Sequence, residues 1–164
     1  MPPIRILVVD DAVVARNEAQ RREMWARREA AAEIATGRGV RLTNDVAVPL
    51  DQIETFLTRA DAVLAEVDPK AETSVVSHLG DGNVHYTVFP SQPDEALKDR
   101  IMERVEDIVL DLRGSFSAEH GIGTAKLSSM SRRKDPAALA AMRAIKAALD
   151  PNNIMNPGKV LPPE

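Results

Sequence analysis

The sequence predicts an α+β domain, a ferredoxin-like antiparallel sheet with packed helices, on three observations. Two β-rich runs flank the turn-forming string LGDGN at 79–83. Apolar residues recur at helical spacing over 50–67 and again over 94–112. Helices are interspersed with these strands in the manner of a split βαβ unit.

In chain order, the short apolar run at 4–9 predicts a strand or an extended lead-in. Residues 17–35 are rich in strong helix formers. Asn17 or the Asp10–Asp11 pair can cap that helix, and Gly37 and Gly39 end it. Trp25, Arg28, Glu29 and Ala32 share one of its faces at three- and four-residue spacing. Residues 40–48 read as extended chain closed by Pro49. Helical period returns over 50–67, where Ile53, Phe56, Leu57, Ala60 and Leu64 form a stripe that Pro69 stops.

Strands at 74–78 and 84–89 then make an antiparallel hairpin with a five-residue loop. The amphipathic helix at 94–112 carries Leu97, Ile101, Val105, Ile108 and Leu112 on one stripe. A short strand follows at Ser115 and Phe116, and then the irregular stretch 117–131. Asp135 caps a last helix with Pro136 at its first position, and Leu139, Met142, Ile145 and Leu149 form its stripe. Prolines and Asn-containing turns give the tail from 150 an irregular path. No internal repeat or flexible linker divides the chain, so residues 1–164 are expected to form a single domain.

Composition narrows the chemistry. The net charge of -4 argues against a general nucleic-acid binder, which needs a concentrated basic surface. With no cysteine, disulfides and thiolate metal sites are excluded. No apolar run reaches the roughly 18 residues of a membrane helix, and the start does not have the pattern of a signal peptide. A cytoplasmic protein is therefore expected.

Chemistry must come from histidines, carboxylates and hydroxyls. His78 and His85 flank the hairpin turn, and a short loop lets residues on its two sides converge. Two imidazoles and a carboxylate are an ordinary donor set for zinc or a similar divalent ion, with a position left for substrate. Glu119 is the nearest plausible third donor. Asp81 and Asn83 can support the turn or orient an imidazole. Taken alone, however, two histidines near a turn are more often without a metal. His85 could be a satisfied strand histidine, and Glu119–His120 could cap a helix beginning near Thr124.

Five ordered strings carry a resemblance: MWARREA at 24–30, DVAVP at 45–49, HLGDGNVH at 78–85, SAEHGIGTAK at 117–126 and NNIMNPGKVLP at 152–162. Together they resemble the C-terminal cap of the FAD-linked oxidases and dehydrogenases that act on 2-hydroxy acids, the D-lactate, glycolate and D-2-hydroxyglutarate enzymes among them. The resemblance covers roughly residues 17–162.

The resemblance implies that His78, His85 and Glu119 bind a divalent metal, zinc by donor type, and that His120 takes the substrate proton. It implies that Arg28 holds the substrate carboxylate, and that Asn83 and Asn156 support loop geometry or touch the flavin edge. Thr43 and Ala32 stand where dicarboxylate users of the family have a lysine and a hydroxyl residue. That departure shifts the expected substrate toward D-lactate or glycolate.

The family also has an N-terminal FAD-binding domain, of which no glycine-rich motif is seen here. The expectation is a cap domain, complete or incomplete, that either is truncated or works with a separate FAD-binding polypeptide, and that can self-associate. Such a chain would be inactive on its own. The alternative is a catalytically silent remnant or an assembly subunit that binds metal or a partner. A metal hydrolase is disfavoured, because no separate nucleophile or water-activating carboxylate is apparent.

Overall fold

Strand β3 (Asn83–Phe89) organises the sheet, because its alternate residues Val84, Tyr86 and Val88 are all fully buried. It lies between β1 (Leu42–Ala47) and β2 (Glu72–His78) and is antiparallel to both. An isolated antiparallel bridge joins Ala47 of β1 to Ser115, through paired N–H···O bonds of 2.9 and 2.8 Å. Ser115 therefore begins a rudimentary fourth strand beside β1. The resulting order, Ser115–β1–β3–β2, is that of the ferredoxin-like split βαβ sheet expected from the sequence.

The computed structural model describes residues 15–36, 40–78 and 80–163, with the side chains of 27, 28 and 31–36 excepted. The expected lead-in strand at 4–9 and the expected helix stop at Gly37 and Gly39 lie outside the described residues. The chain divides into two units, Met1–Ala118 and Glu119–Glu164.

In the first unit, α1 (Glu18–Thr36) starts at Asn17, whose Oδ1 accepts from the Gln20 N–H at 2.9 Å. Of the two caps considered, Asn17 is thus the one that serves. A 3-10 turn (Leu50–Gln52) leads into α2 (Ile53–Val67), which buries Phe56, Ala60 and Leu64. After the hairpin, α3 (Glu95–Asp111) is capped by Asp94, which accepts from Ala96 N–H at 3.0 Å. Its Leu97, Ile101, Val105 and Ile108 are buried as the spacing predicts.

These stripes meet Val46, Val84, Tyr86 and Val88 in one core between the sheet and α2 and α3. The Phe56 and Tyr86 rings pack edge to face at 5.9 Å, and the Tyr86 hydroxyl donates to Asp61 at 3.0 Å. Each fully buried side chain of this size stabilises by about 1.5–3 kcal/mol. The burial also decides the other face. Strand side chains alternate, so committing Val84, Tyr86 and Val88 to the core turns Asn83, His85 and Thr87 to the opposite side.

The second unit contains α4 (Leu127–Arg133), which starts three residues after the Thr124 considered as a helix start and follows Lys126 rather than a Glu119–His120 cap, and α5 (Pro136–Leu149). α4 is one short element with Ser129 and Met130 buried, too brief to show a helical period. Asp135 accepts from Ala138 N–H at 2.9 Å with Pro136 in the first turn, as predicted.

The expected α5 stripe needs correction. Leu139 is buried, but Ile145 and Leu149 are 59% and 73% exposed. The inward side toward the helix end is polar instead. The Lys146 ammonium donates to Asp150, and Arg143 donates to the Pro162 carbonyl at 3.3 Å. Periodicity marks a stripe without saying what covers it.

Asp150 also accepts from the N–H groups of Ile154 and Met155, both at 2.9 Å, and so organises the tail. Lys146 holds its carboxyl below the ordinary range. Burial opposes this, and the two tail N–H groups reinforce it. A depressed folded pKa gives stability that is present above the unfolded value, about 3.9, and is lost as pH falls through the lower folded value. Hydrogen exchange should therefore show the Ile154 and Met155 amides protected at neutral pH and released only once the pH has fallen below the ordinary carboxylate range. Asp150→Ala should release them at every pH, and unchanged protection in that variant would contradict the assignment.

Candidate functional site

The sheet face opposite the core collects the residues on which chemistry can be built. Register sets Asp45 of β1 across from His85 of β3, and His78 of β2 across from Asn83. His78 and His85 are both half-buried, with ring centroids 5.2 Å apart and planes at 81°. An ion roughly 2.0–2.1 Å from one nitrogen of each ring would, in tetrahedral geometry, place two centroids about 5 Å apart. The imidazole pair thus fits a shared divalent ion.

The turn between the histidines is tightly drawn. Gly82 has φ +77 and is buried, and its carbonyl accepts from Val48 N–H at 3.1 Å. A Cβ at this position would meet the Val48 oxygen at 2.1 Å. Only glycine lets the backbone come this close in this conformation. Asp81 Oδ1 accepts from Asn83 N–H at 3.1 Å, and the Ser77 hydroxyl donates to the Asn83 carbonyl at 2.8 Å. The Asn83 side chain is buried, and its Oδ1 meets no hydrogen-bond partner among the described residues.

Asp45 is the residue the sequence reading assigned no chemical part. Its carboxylate is 1% exposed, and Oδ1 lies 3.6 Å from His85 Nδ1. The signal was the alternation in TNDVAV, where polar Thr43 and Asp45 share the face opposite Val46. Farther along that face, the Thr43 and Thr87 hydroxyls lie 3.1 Å apart across the β1–β3 pair. The Asp45 carbonyl accepts from Ala118 N–H at 3.1 Å, which fixes the end of the first unit against β1.

In the second unit, Glu119 and His120 are both exposed, with Glu119 Oε1 3.6 Å from His120 Nε2. Glu119 follows Ala118 directly, and successive Cα atoms are about 3.8 Å apart. Asn156 sits in the tail at φ +49, and its carbonyl accepts from Lys159 N–H at 3.1 Å, so it shapes a turn there. Arg28 lies on α1, and its side chain is outside the described residues.

His78, His85 and the Thr43–Thr87 hydroxyls thus share one face of the sheet of an α+β domain. The sequence match specifies its class: the chain belongs to the family of FAD linked oxidases, C-terminal domain, matched over residues 5–160. It is 34% identical over 157 residues to the D-2-hydroxyglutarate dehydrogenase of Stutzerimonas stutzeri (strain A1501), covering 92% of this chain and 33% of that protein. It is also 34% identical over 155 residues to the D-lactate dehydrogenase of Anaerostipes hadrus, covering 92% of this chain and 32% of that protein. The mitochondrial D-2-hydroxyglutarate dehydrogenase of Bos taurus is 35% identical over 156 residues, or 94% of this chain and 28% of that protein. The chain thus spans about a third of the length of these curated relatives. Among the described residues, no helix is long and apolar enough to cross a membrane.

Proposed function

We propose that this chain forms the substrate- and metal-binding part of a cytoplasmic, flavin-dependent dehydrogenase or oxidase of 2-hydroxy acids. The single observation that carries the reading is the His78–His85 pair at 5.2 Å on the outer sheet face of a chain of this family. His78 and His85 donate imidazole nitrogens, and Glu119, next in the chain after the anchored Ala118, donates a carboxylate oxygen. Two histidines and a glutamate suit zinc with one position left open. In the complete enzyme the ion supplies Lewis acidity at the substrate hydroxyl, and FAD supplies the two-electron acceptor.

The chain's own residues then bind the substrate and move its proton. Arg28, three residues beyond Trp25 on α1, pairs its planar fork of donors with the substrate carboxylate. His120 accepts the hydroxyl proton, a role that suits a neutral imidazole near pH 7. Asn83, with a buried acceptor oxygen that meets no partner among the described residues, faces the flavin edge, and Asn156 supports the loop geometry of the tail.

The Thr43–Thr87 hydroxyl pair favours a small monocarboxylate such as D-lactate or glycolate, since neither hydroxyl brings a cation for a second carboxylate. The flavin comes from a separate FAD-binding polypeptide, or from a portion of the protein outside this sequence. Exposed Ile145, Leu149 and Ile154 are the kind of apolar surface that such an association, or pairing with a second copy, covers.

Metal analysis tests the core of this reading. The purified chain is expected to hold or take up close to one divalent ion per chain. A chain that takes up neither zinc nor manganese, alone or combined with its flavin-binding part, would refute it. For the substrate assignment, Arg28→Lys in the complete enzyme should raise KM for the hydroxy acid roughly 10- to 100-fold, because lysine keeps the charge but loses the two-pronged match. Unchanged steady-state kinetics would remove Arg28 from the site.

A further inference from the structure

Imidazole can present either of its nitrogens to an ion, and the partner of the other nitrogen decides which. In this protein the two are distinguished by position. His85 Nδ1 lies 3.6 Å from Asp45 Oδ1, on side chains that are 15% and 1% exposed. The pairing is built into the sheet, because β1 and β3 set Asp45 and His85 directly opposite one another on the same face. The Asp45 backbone is held as well: its strand pairs with β3, and its carbonyl accepts from Ala118 N–H. A carboxylate taken out of water is stabilised by facing a donor, and a protonated Nδ1 is such a donor.

We propose that Asp45 is a positioning residue that holds His85 as the Nδ1–H tautomer and leaves Nε2 as its ligand atom. In this tautomer Nδ1–H is on the Asp45 side of the ring, 3.6 Å from Oδ1 and beyond direct hydrogen-bond length, so the attraction is electrostatic, and Nε2 is the nitrogen left for the ion. The carboxylate also raises the basicity of the imidazole as a donor, in the manner of carboxylate–histidine–metal triads. This inference rests on the metal reading above only for its consequence. The tautomer itself is a property of the metal-free chain.

The test separates the two. Long-range nitrogen–proton NMR on the full chain with labelled histidine, without metal and at about pH 8, where imidazole is ordinarily neutral, reports which nitrogen of His85 carries the proton. Nδ1–H is expected in the native chain, and a mixture or Nε2–H in Asp45→Asn. Metal titration of the same two proteins should show affinity falling roughly 10- to 100-fold in Asp45→Asn. An Nε2–H tautomer in the native chain overturns the proposal without recourse to any variant. So does an Asp45→Asn protein with the native tautomer and native affinity. If the native chain shows Nδ1–H, the variant loses it, and neither binds metal, Asp45 stands as the positioning residue and the metal reading falls.

Discussion

Replacing His78 and His85 together with alanine should abolish divalent-metal uptake, lowering affinity by on the order of a thousandfold or more. Removing a mere supporting partner of a metal-bound histidine already costs about 10- to 100-fold. Here two of the three proposed donors disappear, and with them the pair whose 5.2 Å spacing matches a shared ion. The measurement is competition against a chromophoric chelator, with each single alanine variant expected between the native chain and the double variant.

The fold should survive this change. Both histidines lie on the outer face of the sheet, and the buried row Val84, Tyr86 and Val88 is untouched. A thermal midpoint within a few degrees of native, as for roughly 1 kcal/mol or less, would therefore separate loss of donors from loss of structure. Native-like affinity in the double variant would place any bound ion elsewhere.

Gly82→Ala should have the second large effect, for a different reason. The alanine would have to adopt φ +77 while its Cβ stood 2.1 Å from the Val48 carbonyl oxygen, an impossible contact. The backbone must move, and the 3.1 Å bond from Val48 N–H to the Gly82 carbonyl is the first casualty. Left-handed strain alone costs about 1–3 kcal/mol, and displacing a backbone hydrogen bond adds about 1 kcal/mol. Denaturant unfolding should show a loss of about 2–4 kcal/mol on that basis. Because Gly82 lies in the turn between the two histidines, metal affinity should fall as well. Gly80→Ala is the control: a Cβ there meets nothing within 4 Å, and a far smaller change is expected. Equal effects at the two glycines would show that the close approach to Val48 is unimportant.

Much of this protein is readable in its amino-acid order, and the reason is that the readable parts are local. The apolar spacing in 50–67 and 94–112 gives α2 and α3. The β-rich runs around LGDGN give the β2–β3 hairpin, and Asp135–Pro136 gives the start of α5. The five ordered strings indicate the family, and the family is confirmed by the match over residues 5–160. His78 and His85 stand only a short loop apart, so their convergence also follows from a local turn.

Tertiary structure decided what depends on pairing between distant segments. Asp45 and His85 are 40 positions apart, and only the β1–β3 register makes them neighbours. The same register joins the Thr43 and Thr87 hydroxyls. Alternation in a strand names the face of a residue, but not the residue across from it. The Ser115 bridge and the clash that a Cβ at position 82 would make are likewise set by chain brought from elsewhere, at Ala47 and Val48. In α5 the apolar stripe was plain in the sequence, yet Ile145 and Leu149 stand exposed while Lys146 and Asp150 organise the tail. A helical period records which residues share a side, whereas burial depends on what packs against that side, and that is determined only when the whole chain has folded.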